Sequence, residues 1–210
     1  MLLLQKKSIN PCIIDILEHW FSISSAQIKW NNILSDPVTL LAGVRQGGIL
    51  SPLLFTAYID IVLRELELSK LGCYINSKCM NSFLYADDLI LLAISVTDLQ
   101  LLVSKCLVVF NSLDLHINCA KSVCLRIGPR FSASCKTIMA ANSTLKWVSE
   151  VKYLGIHLKS SANVTFNWQP ARSNFYKALN NIMGALGPNP PINVPLSLIR
   201  AVFSYPYLWY

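Results

Sequence analysis

The stretch Phe83-Leu84-Tyr85-Ala86-Asp87-Asp88-Leu89-Ile90-Leu91-Leu92 constrains this chain more than any other. Two adjacent carboxylates stand between two short apolar runs. That pattern predicts strand, tight turn, strand, with Asp87 and Asp88 at or beside the turn. The two charges repel, and the flanking runs are apolar enough to bury at least one face. A buried carboxylate without a partner protonates rather than stay charged. A divalent cation would remove both difficulties, and Mg²⁺ in particular takes carboxylate oxygens while keeping room for water and substrate phosphates. For ten residues taken alone, a solvated Asp-Asp turn is the plainer alternative.

The rest of the chain narrows the choice. Its 210 residues are 53% hydrophobic and only 14% charged, enough for a sizeable core but with little polar surface to spare. No apolar run reaches the ~18 residues that would span a bilayer, and Met1-Leu2-Leu3-Leu4 before Gln5-Lys6-Lys7 is too short for a signal-peptide core. No targeting segment is legible, and no membrane partner is expected. Seven cysteines without a Cys-x-x-Cys spacing are read as reduced, mostly buried thiols of an intracellular protein. His116, Cys119 and Cys124 lack a fourth ligand at a spacing that suits zinc. The formal charge of +7 favours a polyanionic partner, nucleic acid before membrane.

Taken in order, Asn10-Pro11 predicts a capped helix start, followed by an apolar face of Ile13, Ile14, Leu17, Trp20 and Phe21. Residues 26–31 alternate like a half-buried strand, and 38–41 return as a second after turn chemistry at Asn31-Asn32 and Ser35-Asp36-Pro37. Gly43-Val44-Arg45-Gln46-Gly47-Gly48-Ile49-Leu50-Ser51-Pro52 is a flexible loop running into a helix, with Ser51 as its cap and Leu54, Tyr58, Ile61, Val62 and Glu65 along one side. Strands are expected at 72–75, 80–85, 89–93 and 123–127. A helix capped by Thr97 is expected through Asn111. Residues 130–144 are loop-like with an edge strand possible at 138–140, and 145–148 is expected to pair with a strand at 151–158. A basic amphipathic helix at 168–186, a linker and a last helix from Pro195 lead into an aromatic end at 205–210. Helices alternating irregularly with hairpin-like strands indicate an α+β layer fold, an antiparallel sheet with helices on one face.

In this fixed order, Gly43-Val44-Arg45-Gln46-Gly47-Gly48-Ile49-Leu50-Ser51-Pro52, Tyr85-Ala86-Asp87-Asp88, Ile117-Asn118-Cys119-Ala120-Lys121-Ser122 and Lys152-Tyr153-Leu154-Gly155 resemble the reverse transcriptase domain of non-LTR (LINE-type) retrotransposons. The resemblance covers essentially the whole chain. It implies a right-hand polymerase palm over 1–160, with the fingers and first catalytic strand missing, and the beginning of helical thumb at 161–210. It implies RNA-directed DNA polymerase activity by attack of a primer 3′-hydroxyl on a deoxynucleoside triphosphate, assisted by two Mg²⁺ ions. By the same resemblance Asp87 and Asp88 are the metal-binding and catalytic carboxylates, and Lys121 lies near the triphosphate. Arg45, Gln46, Gly47, Gly48 and Tyr85 meet nucleotide and template, while Tyr153, Leu154 and Gly155 hold the primer. The implied partners are an RNA template, a DNA primer, deoxynucleoside triphosphates and the rest of the retroelement polyprotein, and the implied site of action is the nucleus.

One departure is mechanistic. The family's first metal-binding carboxylate sits in an Asp-x-x-x-Ala-Phe-Asp type segment just before the stretch matched by Leu2 to Ser8, and it is absent here. Asp15, Asp36 and Asp60 stand in the wrong context. The chain by itself is therefore expected to be a poor or inactive polymerase, and the alternative is a catalytically dead remnant that keeps only nucleic-acid binding or does not fold stably.

Overall fold

A computed structural model of the chain describes residues 9–40, 43–44, 47–187 and 190–203. They form two compact units, one within Met1–Ser122 and Lys136–Leu145, the other within Val123–Cys135 and Lys146–Tyr210. The expected segments Leu2–Ser8 and 205–210 lie outside the described residues.

In the first unit, α1 (Pro11–Ser22) starts as the sequence predicts. The Asn10 side chain accepts from the Cys12 amide at 3.0 Å, and Pro11 fills a first-turn position whose amide needs no partner. Its inner stripe is narrower than expected, since Ile14 and Leu17 are buried while Ile13 and Trp20 are exposed. Four two-residue strands follow. β1 (Ser25–Ala26) pairs with β4 (Val38–Thr39), and β2 (Lys29–Trp30) with β3 (Ile33–Leu34). Asn31 and Asn32 close the β2–β3 turn with φ of 44° and 63°, a conformation asparagine tolerates better than most residues. The half-burial expected at 26–31 is not found, because every residue of these strands is exposed.

The core is built by α2 (Ser51–Leu68) and α3 (Val96–Ser112). Ile59, Val62 and Leu66 of α2 and Leu102 and Cys106 of α3 are buried together. Burying a Leu or Val side chain is worth roughly 1.5–3 kcal/mol each, so these few residues hold the unit. The stripe expected on α2 is corrected: Tyr58 and Ile61 are half-buried and Glu65 is exposed. Leu54 and Ala57 pack instead with Ile14 and Leu17 of α1, so α2 is apolar on two sides and a single stripe describes it poorly. Both caps also differ. Leu50, not Ser51, precedes the first turn of α2 and offers no side-chain cap, and Ser95 rather than Thr97 caps α3 by accepting from the Asp98 amide at 3.0 Å. Tyr58 Oη donates to the Leu113 carbonyl and ties α2 to the end of α3.

The strand pairing departs from one continuous sheet. β5 (Cys73–Ile75) and β6 (Lys78–Met80) form one hairpin, and β7 (Ser82–Tyr85) and β8 (Asp88–Leu91) another, so residue 80 belongs to the earlier hairpin. β10 (Ile138–Ala140) pairs antiparallel with the start of β11 (Ser143–Val148). β10 is an edge strand, as expected, yet its Ile138 and Ala140 are fully buried. The other edge of β10 is closed by a side chain: Gln100 Oε1 accepts from the Met139 amide at 2.7 Å, and its Nε2 donates to the Met139 carbonyl at 2.9 Å. Gln100→Ala removes both bonds and is expected to lower stability by about 1–3 kcal/mol in urea unfolding. Gln100→Glu keeps the acceptor but sets a carboxylate oxygen against the Met139 carbonyl, and should cost at least as much.

In the second unit β9 (Val123–Leu125) runs parallel to the end of β11. β12 (Glu150–Tyr153), β13 (Ile156–Lys159) and β14 (Thr165–Phe166) form a separate antiparallel sheet. The expected pairing of 145–148 with 151–158 is therefore replaced. The run 151–158 folds on itself at Leu154 and Gly155, whose φ of 47° and 86° turn the chain within two residues. α4 (Gln169–Leu186) ends at Gly187 with φ of 79°, and α5 (Asn193–Phe203) follows. The mixed α and β content agrees with the expected class, whereas among the described residues the single antiparallel sheet gives way to six small sheets, one with a parallel pair. All seven cysteines are free, but only Cys106 and Cys124 are buried. Burial pushes the Cys106 thiol up to about 12 and raises that of Cys124.

Candidate active site

The Asp pair sits where the sequence places it. In the β7–β8 hairpin Tyr85 is directly opposite Asp88, leaving Ala86 and Asp87 as a two-residue turn. Leu84, Leu89 and Leu91 face the α2–α3 core. By strand alternation Phe83, Tyr85, Asp88 and Ile90 share the other face. Ala86 has φ of 51°, a left-handed conformation that costs a non-glycine residue about 1–2 kcal/mol. That strain lies immediately before the two carboxylates the sequence singles out, and strained backbone commonly gathers at functional sites.

Both Asp87 and Asp88 are exposed, so burial does not create the need for a cation. Among the described residues neither carboxylate has a salt-bridge partner, and no cluster of three or more Asp, Glu, His or Cys forms a metal cage. The site's open chemistry is thus two adjacent, solvated carboxylates on a rigid hairpin.

The base of that hairpin is fixed by a residue the sequence did not flag. Asn81 is 3% exposed. Its Nδ2 donates to the Leu66 carbonyl at the end of α2 at 2.6 Å, and its own carbonyl accepts from the Leu92 amide at 2.8 Å. A lone Asn between apolar runs gives no signal of this role. Gly72, which packs against it, does leave a trace in sequence as a glycine just before a strand.

Gly47 and Gly48 lie just before α2, Gly47 with φ of 77° and open space where a side chain would stand. Arg45 and Gln46 lie outside the described residues. Lys121 is exposed on a turn held by Asn118, whose carbonyl and Oδ1 accept from the Lys121 amide at 3.1 and 3.2 Å. Tyr153, Leu154 and Gly155 form the β12–β13 turn of the second unit, with Tyr153 half-buried and Leu154 and Gly155 exposed.

Residues 4–158 match the family of reverse transcriptases (RNA-dependent DNA polymerases). The chain belongs to this family. It is 29% identical over 163 residues, 73% of its length, to the Retrovirus-related Pol polyprotein from type-2 retrotransposable element R2DM of Drosophila melanogaster, covering 15% of that protein. It is 29% identical over 188 residues, 88% of its length, to the Transposon TX1 uncharacterized 149 kDa protein of Xenopus laevis, covering 14% of it. Over 63 residues, 30% of its length, it is 43% identical to the Retrovirus-related Pol polyprotein from type-1 retrotransposable element R2 of Nasonia vitripennis, covering 6% of it. These relatives agree with a partial reverse transcriptase domain of the LINE type. The chain spans no more than 15% of the length of any of the three.

Reverse transcriptases generally depend on a divalent metal. In this reverse transcriptase domain the residues present suit such an ion in part. Two solvated carboxylates without competing partners are the donors Mg²⁺ takes alongside water and phosphate oxygens. They fall short of a set that brackets two ions. Among the described residues no helix is long and apolar enough to cross a membrane.

Proposed function

We propose that this chain is the palm part, 1–160, and the beginning of the thumb, 161–210, of an RNA-directed DNA polymerase carried on a retroelement polyprotein. The observation that carries the proposal is the Tyr85-Ala86-Asp87-Asp88 turn, held on a rigid hairpin in a chain of reverse transcriptase family. Asp87 and Asp88 would hold Mg²⁺, which when bound helps the primer 3′-hydroxyl attack the α-phosphate and stabilises the leaving pyrophosphate, two ions serving in the complete domain. Lys121 offsets charge on the departing phosphates. Gly47 and Gly48, lacking side chains, let the incoming nucleotide and the RNA template approach the backbone, with Arg45, Gln46 and Tyr85 beside them. Tyr153, Leu154 and Gly155 hold the end of the DNA primer. The expected place of action is the nucleus.

Among the described residues no third carboxylate clusters with Asp87 and Asp88, which favours a second reading, a remnant that binds nucleic acid without turnover. The two part in a primer-extension assay on an RNA template with Mg²⁺, comparing the 210-residue chain with a chain extended upstream. Activity in the extended chain alone is expected. Activity in the short chain would mean that Asp15 or Asp60 completes the site, although Asp60 is already paired with Arg64 at 3.1 Å and Asp15 is exposed on α1. Inactivity of both favours the remnant. In the active form Lys121→Ala should slow single-turnover extension by about tenfold to a hundredfold, the scale of one lost charge-assisted contact.

A further inference from the structure

A single carboxylate stitches together all three strands of the β12–β13–β14 sheet and the helix that follows. Glu150 opens β12 directly opposite Lys159, and His157 is directly opposite Lys152, so the four share one face. Glu150 Oε1 lies 2.8 Å from His157 Nδ1, which donates to it. Asn167, just after β14, donates its backbone amide to the His157 carbonyl at 2.7 Å. Its side-chain Nδ2 donates to Glu150 Oε1 and Oε2 at 3.1 and 3.0 Å. Asn167 Oδ1 then accepts at 3.1 Å from the amide of Gln169, the first residue of α4. A carboxylate at the base of the hairpin thus reaches, through one asparagine, the first turn of a helix.

The donors are informative. Lys152 and Lys159 flank Glu150 on the same face, yet neither forms an ion pair with a described residue. A planar amide and an imidazole ring make the contacts instead, and these fix direction as well as charge, which a flexible ammonium does not. The Asn167 amide, followed by the His157 contact and the nearby Lys159 charge, holds the Glu150 carboxyl below its ordinary value despite partial desolvation. Its folded value is depressed, so its contribution to stability is full above the ordinary carboxyl range and fades as pH falls through the folded value. At neutral pH the clasp is charged and closed.

We propose that Glu150 is a positioning residue for the primer: through His157 and Asn167 it ties the base of the hairpin that carries the Tyr153-Leu154-Gly155 turn to the first turn of α4, so that a recessed 3′ end meets one rigid body. This rests on the primer-holding role given above to that turn. The test is equilibrium binding of the full chain to an RNA–DNA duplex with a recessed primer 3′ end and to the same duplex made blunt. Wild type should prefer the recessed end. Glu150→Gln sets amide donors against each other, and Asn167→Asp sets two carboxylates against each other. Each should reduce the preference about tenfold, the scale of one charge-assisted hydrogen bond. The double variant Glu150→Gln/Asn167→Asp restores the pairing with donor and acceptor exchanged, and should recover the preference; it carries the test alone if a single variant does not fold.

No preference in wild type would overturn the primer-holding role and this proposal with it. A preference that survives in the folded single variants, or that the double variant fails to recover, would overturn the positioning role and leave the primer role standing. Equal weakening on both duplexes, with the ratio unchanged, would make the clasp structural only and would also overturn it.

Discussion

Gly72→Ala is expected to destabilise the first unit by about 4 kcal/mol or more, the sum of a backbone cost and an overpacking cost. Gly72 has φ of 110°, which an L side chain rarely adopts. A Cβ there would stand 2.4 Å from Asn81 Cβ, 2.7 Å from the Leu92 carbonyl oxygen and 3.0 Å from Asn81 Cα. None of these is the far end of a flexible side chain. Asn81 is bonded to Leu66 on one side and to Leu92 on the other, so relief requires moving the end of α2, the base of the β7–β8 hairpin, or both. Gly43→Ala supplies the comparison, since Gly43 has φ of 100° and open space where its Cβ would go. It should show the backbone cost alone, about 1–2 kcal/mol. Urea unfolding of both variants separates the terms, and equal midpoints would show that the space around Gly72 yields without cost. Because whole domains are stable by only about 5–15 kcal/mol, the Gly72 variant should be largely unfolded at modest urea.

What was legible in the sequence is what local chemistry decides. Asn10-Pro11 can do little except start a helix. Asn31-Asn32 supplies the left-handed pair a two-residue hairpin needs, and the Asp pair between apolar runs gives its own turn. What escaped is set by packing over distance. Whether Ser95 or Thr97 caps α3 depends on which hydroxyl meets a free amide, and both residues qualify by type. The inner face of α2 was misjudged because α1 and α3 take different sides of it. Ile138 to Ala140 read as an edge strand, but their full burial escaped because polar residues surround them and the strand's open edge is closed by Gln100, 39 positions away in sequence. Glu150, His157 and Asn167 meet only through strand register, which a lone sequence leaves open. The candidate site divides the same way. Its turn was visible in the residues that carry the chemistry, while of its supports Gly72 left only the trace of a glycine before a strand and Asn81 left none, because their work is to fit against each other.

The site assignment stands or falls on Asp87. In a chain extended upstream that performs primer extension, Asp87→Asn should reduce single-turnover extension by at least about 10³-fold, the scale of removing one electrostatic partner of a developing transition-state charge. The variant changes charge and little else. Asp87 occupies an exposed turn, makes no salt bridge among the described residues, and lies outside the α2–α3 core, so its loss leaves the hairpin register and the packing of Leu84, Leu89 and Leu91 in place. The melting transition should therefore stay within about 0.5 kcal/mol of wild type, as for a surface substitution. That separation of activity from stability is what distinguishes a metal-holding carboxylate from a solvated turn. Asp88→Asn bears on the same point less directly. Asp88 starts β8 opposite Tyr85 on the face away from the core, and a smaller loss there would assign the main share of ion binding to the turn residue. Raising Mg²⁺ should recover part of the activity of either variant if the lost carboxylate served to hold the ion, because weakened binding is answered by mass action. Wild-type extension by Asp87→Asn would remove the pair from the chemistry altogether and leave a hairpin whose two charges serve only solubility.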